Sequence, residues 1–316
     1  MRVLVTGATG FVGRWLTERL LEAGHSVTGA VSRGQRAAPR SEVAFVELDL
    51  AERESAEHVA RQPYEAVVHL AAVASGAQAR EDPGHAWDVN AGGTARLLHA
   101  LGDARAQGGS DPLVIVASTG EVYGPQARRP SLETDPVDPC SPYAMSKLGA
   151  EMAARDAAVR TGLRVVIVRP FAQCGPGQDR RFVLPALVSR LLAARRSGAT
   201  AVRVGNLEPV RDFVDVRDAA RAISALLDRA EPGATYNIAT GVGVSLTELF
   251  RRAAEVVGVN AVPETDPALV RAADLPYLVG DAAKLRAQTG WRPGVALEQS
   301  LADLVAALEA DAGGRS

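Results

Sequence analysis

Arg2-Val-Leu-Val-Thr6 runs straight into Gly7-Ala-Thr9-Gly10-Phe11-Val12-Gly13, and this junction decides the fold. The first five residues are mostly apolar or β-branched and predict a buried strand. Phe11–Ala23 predicts a helix. Between them, glycines let the backbone turn tightly and approach a pyrophosphate, whose charge the helix N-terminus meets. The spacing is Gly-x-x-Gly-x-x-Gly, not the commoner Gly-x-Gly-x-x-Gly. A ligand-free strand-to-helix turn can use the same residues, but the position at the start of a βαβ unit favours dinucleotide binding.

Outward from this junction the pattern repeats. Strands are predicted at Ser26–Val31, Val43–Glu47, Ala66–Leu70, Leu113–Ser118 and Arg164–Arg169, with helices at Gly84–Ala106 and Pro142–Thr161. Several strands are nearly all apolar, as in a sheet covered on both faces. The fold class is therefore α/β, a Rossmann-type doubly wound parallel sheet. After Pro170 the pattern changes. Helices are predicted at Phe182–Ser197, up to Arg229, at Ser245–Val257 and at Leu297–Glu309, with strands at Arg211–Val216 and Thr235–Ala239. We expect a dinucleotide-binding domain over 1–170, with segments near 211–240 returning to it. Residues 171–316 should form mainly a smaller α/β substrate lobe, with the ligand between the two at the carboxyl edge of the sheet.

The chain has 316 residues and a formal net charge of −2. Such a balance gives no global field toward nucleic acid or membrane, and neither is expected as a partner. The two cysteines, Cys140 and Cys174, have no metal-ligand spacing, so no metal is expected. Few cysteines, no apolar run of spanning length and no signal-peptide pattern predict a cytoplasmic protein.

The end of the second strand discriminates between cofactors. An acidic residue there would bind the adenosine ribose of NAD, but the run is Ala30-Val31-Ser32-Arg33. Ser32 can hydrogen-bond a 2′-phosphate and Arg33 can pair with it. Arg36 is a possible second cation. NADPH/NADP is the expected cofactor, with NAD possible. Asp49 and Leu50 can meet the adenine edge, and Leu70, Ala71 and Ala72 can pass under the cofactor. A solvated basic loop and plain strand-end packing are the alternative readings of these segments.

Tyr143-Ala-Met-Ser-Lys147 carries acid-base potential. Four residues apart on a helix, the two side chains share a face. An ammonium beside a phenol favours the phenolate and should lower its pKa. Such a tyrosine can exchange a proton with a carbonyl or alcohol oxygen.

Gly7-x-x-Gly10-x-x-Gly13, Asn90, Ser118-Thr119-Gly120-Glu121-Val122-Tyr123-Gly124 and Tyr143-x-x-x-Lys147 together resemble the extended short-chain dehydrogenases/reductases, of the NAD-dependent epimerase/dehydratase type. The resemblance spans nearly the whole chain. It implies Tyr143 as acid/base, Lys147 as its modulator and nicotinamide-ribose ligand, and Thr119 as the hydroxyl that meets the reacting oxygen. It also implies cofactor contacts at Asn90, Ser118 and Pro170, and a homodimer through helices near 84–106 and 142–161. Apolar residues on more than one face of those helices agree with such a partner, and simple burial inside the monomer is the alternative.

The C-terminal motifs Arg169-Pro170-Phe171, Gly175-Pro-Gly177-Gln178, Gly205 to Asp218 and Gly290-Trp-Arg-Pro293 resemble GDP-4-dehydro-6-deoxymannose reductases. The resemblance implies NADPH-dependent reduction of the 4-keto group of a GDP- or TDP-linked 4-keto-6-deoxyhexose. A guanidinium forks onto phosphate oxygens, so Arg211 and Arg271 are candidates for the substrate diphosphate. A structural salt bridge is the alternative for each. Gln173 and Arg181 are further substrate candidates. Ala172-Gln173 stands where the pattern usually carries Asn-His, which leaves the sugar open.

Glu121 brings rival chemistries. Its motif also resembles sugar-nucleotide 4,6-dehydratases and UDP-glucuronate decarboxylases, in which the cofactor is regenerated in each cycle and Glu121 could act as a base; the alternative is that Glu121 only orients Tyr143 or binds substrate through a sugar hydroxyl. A 4-epimerase and a non-catalytic NADP-binding regulator complete the alternatives. Gly120, where dehydratases often carry an acidic residue, weakens the dehydratase reading.

Overall fold

The computed structural model describes residues 1–34, 42–125, 127–270 and 274–313. In chain order the first part contains β1 (Arg2–Thr6), α1 (Phe11–Glu22), β2 (Ser26–Val31), β3 (Val43–Glu47), α2 (Arg53–Ala60) and β4 (Ala66–His69). It continues with α3 (Gly76–Glu81), α4 (Pro83–Trp87), α5 (Thr94–Ala106), β5 (Leu113–Ala117), α6 (Pro142–Thr161) and β6 (Arg164–Pro170). The second part contains β7 (Ala172–Cys174), α7 (Val183–Ser197), β8 (Ala201–Val204), β9 (Val210–Asp215), α8 (Val216–Arg229) and β10 (Thr235–Ile238). The rest is β11 (Gly243–Ser245), α9 (Leu246–Val257), β12 (Val262–Thr265), β13 (Tyr277–Leu278), α10 (Ala283–Thr289) and α11 (Leu297–Gly313).

Seven parallel strands form the main sheet in the order β3-β2-β1-β4-β5-β6-β10. Val3, Leu4, Val5, Val67, Val68, Val114 and Ile115 are fully buried, because helices cover both faces. The chain leaves β1 toward β2 and β3, then returns on the other side through β4. The reversal opens a crevice at the carboxyl ends of β1 and β4, where Thr6 and His69 are register partners.

The C-terminal elements divide. β10 completes the edge of the main sheet beside β6, and α8 packs on α1. β7, β9, β11 and β13 form a second sheet around β9, and β8 pairs with β12. A separate apolar core joins α7, α9 and α11 through Leu184, Leu191, Leu249, Phe250 and Leu304.

The expected helix over 84–106 is not continuous. It splits into α4, a π-helical stretch Asp88–Gly93 and α5. Gly93 sits so close to Leu50 that an added Cβ would lie 2.8 Å from Leu50 Cβ. Widened turns of this kind are frequent at functional sites, and here the stretch carries Asn90.

Candidate active site

The glycine junction forms a cradle with no space for side chains. Gly7 has φ +68°, and a Cβ there would lie 3.0 Å from the Ala71 nitrogen. A Cβ on Gly13 would lie 2.1 Å from the Gly7 carbonyl oxygen. Gly10 N–H donates to that carbonyl at 2.9 Å, closing the turn. α1 begins at Gly10 with no side-chain cap and no acidic residue in its first turn. Its N-terminal N–H groups and positive dipole end suit a pyrophosphate, with Thr9, Phe11 and Val12 half-buried around it.

β1 and β4 are bound together at the crevice. Thr6 Oγ1 accepts from the Leu70 and Ala71 nitrogens at 3.1 and 3.0 Å and meets His69 Nδ1 at 2.8 Å. Thr94 Oγ1 donates to the Asn90 carbonyl at 2.6 Å and lies 3.0 Å from His69 Nε2. With both Thr6 acceptor positions used, its hydroxyl donates to Nδ1, so Nε2 carries the proton toward Thr94. Burial first, then the Lys147 charge, push the His69 pKa down to about 3. Asn90 Nδ2 donates to the Val73 carbonyl at 3.1 Å and to Ser146 Oγ at 2.9 Å, while its Oδ1 accepts from Val73 N–H at 2.8 Å. Asn90 therefore ties the segment after β4, including Ala72, to α6.

At the end of β2, Ser32 and Arg33 are exposed. Arg33 is already engaged: Nε donates to Glu47 at 3.2 Å and Nη1 to Glu52 at 3.1 Å. The Glu47 hydrogen bond, ahead of the Glu52 charge, raises the pKa of the guanidinium. Arg36 lies outside the described residues. Asp49 caps the Ala51 N–H at 2.9 Å, and Leu50 is buried in the core behind the crevice.

The chemistry gathers between β5 and α6. Thr119 follows β5 and caps the 3₁₀ turn Gly120–Tyr123, its hydroxyl accepting from Glu121 N–H at 3.2 Å. α6 starts with Ser141 accepting from Ala144 N–H at 3.1 Å and Pro142 in the first turn, which aims Tyr143 from the helix start. Burial is the main cause that raises the Tyr143 phenol well above its ordinary pKa. The Glu121 carboxylate adds to this, and a hydrogen bond with Thr119 works the other way. The expected depression of the phenol by Lys147 is thus not seen: burial and Glu121 set the direction, and the lowering contribution comes from Thr119. Lys147 is itself 5% exposed, and burial lowers its pKa to about 8 against the opposing pull of Glu151.

Ser118 points inward rather than into the crevice, its hydroxyl donating to Glu151 Oε1 at 2.6 Å. Glu151 also pairs with Arg169, whose guanidinium carbon lies 4.8 Å above the Tyr123 ring. The pair lies behind Lys147 and just before Pro170, and sequence reasoning missed it. The signal was the four-residue step from Lys147 to Glu151 on one helix face. Gly120 abuts Phe171: a Cβ there would lie 3.0 Å from three ring carbons.

The structure thus brings Thr119, Glu121 and Tyr143 together, with Lys147 one turn further along α6. The substrate candidates are placed otherwise. Gln173 lies on β7, its carbonyl accepting from Gln178 at 2.8 Å. Arg181 forks onto Asp179 at 3.0 Å through two nitrogens. Arg211 is mostly buried and pairs with Asp274, while also donating to the Leu275 carbonyl at 2.7 Å. Arg271 lies outside the described residues. Among the described residues no cluster of three or more His, Cys, Asp or Glu could hold a metal ion, and no helix is long and apolar enough to cross a membrane.

The family pattern described as "NAD dependent epimerase/dehydratase family" matches residues 3–239. The chain belongs to that family. This family member is 35% identical to the GDP-6-deoxy-D-mannose reductase of Pseudomonas aeruginosa over 95% of the chain and 94% of the relative. It is 33% identical to a UDP-glucose 4-epimerase of Mycolicibacterium smegmatis, over 96% and 97%. Two solved structures are similar: RMD from P. aeruginosa complexed with NADPH, and a Thermotoga maritima UDP-glucose 4-epimerase with UDP-glucose. For the first, the TM-score is 0.83 at 31% identity, covering 98% and 99% of the two chains. For the second, it is 0.88 at 28% identity, covering 99% and 100%. The family member is an extended short-chain dehydrogenase/reductase, an enzyme of NAD(P)-dependent oxidoreductase type.

Proposed function

We propose that the enzyme reduces the 4-keto group of a GDP- or TDP-linked 4-keto-6-deoxyhexose to the 4-hydroxy sugar, using NADPH. The observation that carries this reading is the Thr119-Gly120 corner. The Thr119 hydroxyl hydrogen-bonds with the Tyr143 phenol, so the two could meet one substrate oxygen, while Phe171 packs on Gly120 where a dehydratase often carries its acid. The reductase relative covering nearly the whole chain supports it.

Gly7, Gly10 and Gly13 with the start of α1 would hold the pyrophosphate of the dinucleotide, and Ser32 and Arg33 its 2′-phosphate. When bound, NADPH supplies the hydride. The raised pKa of Tyr143 keeps its proton in place at neutral pH, as an acid for reduction requires. Tyr143 gives that proton to the oxygen at C4, and the Thr119 hydroxyl steadies the same oxygen. Lys147, cationic below about pH 8, would meet the nicotinamide ribose. Arg211, once released from Asp274, and Arg271 would meet the substrate diphosphate, with Gln173 and Arg181 at its rim. The reading also includes a homodimer formed through α4, α5 and α6.

Purified protein mixed with NADPH and GDP-4-keto-6-deoxymannose, or its TDP analogue, should lose the reduced-nicotinamide absorbance. Tyr143→Phe should slow that loss at least about a hundredfold. The 33% identity to a UDP-glucose 4-epimerase favours one second reading, 4-epimerisation. Interconversion of UDP-glucose and UDP-galactose without net cofactor use, and no reaction with either keto sugar, would establish that reading instead.

A further inference from the structure

Arg33, Glu47 and Glu52 meet where β2 and β3 end. Val31 and Glu47 are register partners, so Glu47 stands beside the exit of β2. Glu52 stands at the N-cap position of α2, and its side chain makes no cap bond there. Both carboxylates face Arg33, and both bonds are direct, at 3.2 and 3.1 Å. All three side chains reach solvent, with exposures of 66%, 53% and 47% for Arg33, Glu47 and Glu52.

We infer that Glu47 and Glu52 are specificity-determining residues that compete with a dinucleotide 2′-phosphate for Arg33. The inference rests on the dinucleotide reading of the glycine cradle and deepens it. Arg33 alone reads as a strong selector for NADP, because a guanidinium forks onto phosphate oxygens. Here the same nitrogens already serve two carboxylates. A 2′-phosphate brings about two further negative charges at neutral pH. To fork onto it with two nitrogens, Arg33 must use Nε or Nη1, each already held by a carboxylate, and the phosphate must settle beside both acids. An unphosphorylated ribose asks for neither change. The pair therefore weakens NADP binding while leaving NAD binding unchanged, and moves the enzyme toward tolerance of both.

Calorimetric titration of the full-length protein with NADP⁺ and NAD⁺ tests this. In Glu47→Gln/Glu52→Gln, the ratio of the NAD⁺ to the NADP⁺ dissociation constant should rise about three- to tenfold, the range expected for two exposed ion pairs. The NAD⁺ constant should change less than about twofold, within what an exposed pair contributes. Arg33→Ala should lower the ratio, and adding both glutamine substitutions to Arg33→Ala should recover little of it. An unchanged ratio, an equal shift for both dinucleotides, or the same gain with and without Arg33 would overturn the inference. The last result would mean the carboxylates repel the phosphate directly. No binding of either dinucleotide by any variant would remove the cradle reading and this inference together. Binding that follows the expected pattern without turnover of any keto sugar would sink only the reductase reading.

Discussion

Glu151 and Arg169 form a two-point ion pair in the interior, with Nε 2.8 Å from Oε1 and Nη2 2.7 Å from Oε2. Both side chains are at most 5% exposed. The pair links β5, through Ser118, to α6 and β6. It therefore underlies the three elements that carry Thr119, Lys147 and Pro170. Removing one partner of a buried pair leaves an uncompensated charge and costs about 3–5 kcal/mol, whereas apolar replacement of both is often far milder. Urea unfolding should show Glu151→Leu and Arg169→Met each losing stability on that scale. The double variant should lose clearly less than their sum. Additive losses would mean that the pair is not coupled.

Lys147 gives a second test, in which activity and stability move in opposite directions. Burial holds its folded pKa near 8, against 10.5 ordinarily. Between those values the unfolded chain binds more protons, so stability should rise with pH across that window. The penalty is fully present below pH 8. Lys147→Met should therefore gain up to about 3 kcal/mol at pH 7, at 1.4 kcal/mol per pKa unit. It should also lose most turnover. Thermal unfolding at pH 7 and pH 10 reads the difference, and an equal effect at both values would contradict the buried-charge account.

His69 sets an acid limit. Its folded pKa near 3 lies below the ordinary 6.5, because the ring is enclosed and faces the charge of Lys147. The unfolded chain takes up a proton below pH 6.5 that the folded chain refuses. Stability from this group is whole above pH 6.5 and is lost progressively as pH falls toward 3. From pH 7 to pH 5 the loss should be about 2 kcal/mol. His69→Gln should flatten the slope of unfolding free energy against pH by that amount. An unchanged slope would show that the imidazole does not carry it.

Most of the main sheet was legible in the sequence because its signals are local. Arg2–Thr6, the glycines after it and Phe11 onward are one contiguous strand-turn-helix. Thr119 at a strand end, and Tyr143 with Lys147 on one helix, are likewise readable from short motifs. What escaped reading depends on tertiary contact. Arg211 meets Asp274 across 63 residues, and Arg33 reaches Glu47 and Glu52 only because β2 and β3 pair in register. The phenol's raised pKa was also missed, since burial and Glu121 decide it rather than the neighbouring lysine. The short strands β7, β11 and β13, of two or three residues, are too brief to show an alternating pattern. The widened turn at Asn90 has no periodic signature either.

The outer face of α6 carries the last prediction. Met145, Met152 and Val159 are 43%, 65% and 89% exposed. They recur every seven residues, a spacing that keeps them in one stripe along the helix. Trp87 on α4 is 45% exposed, and its ring also packs against Gly149 of α6, where a Cβ would lie 2.7 Å from it. A row of large apolar groups beside an exposed indole is unusual on a lone soluble protein and is what a helix-pairing interface offers. If a second copy covers it, as the proposed homodimer requires, the native protein should sediment as a dimer. Met152→Glu with Val159→Lys should then shift it to monomer while leaving the far-ultraviolet circular dichroism unchanged. These two residues lie about two and a half and four and a half turns beyond Tyr143 on the same helix, so the monomer should also show whether pairing steadies the tyrosine. A native protein that already sediments as a monomer, or a dimer indifferent to both charges, would exclude this face as the interface.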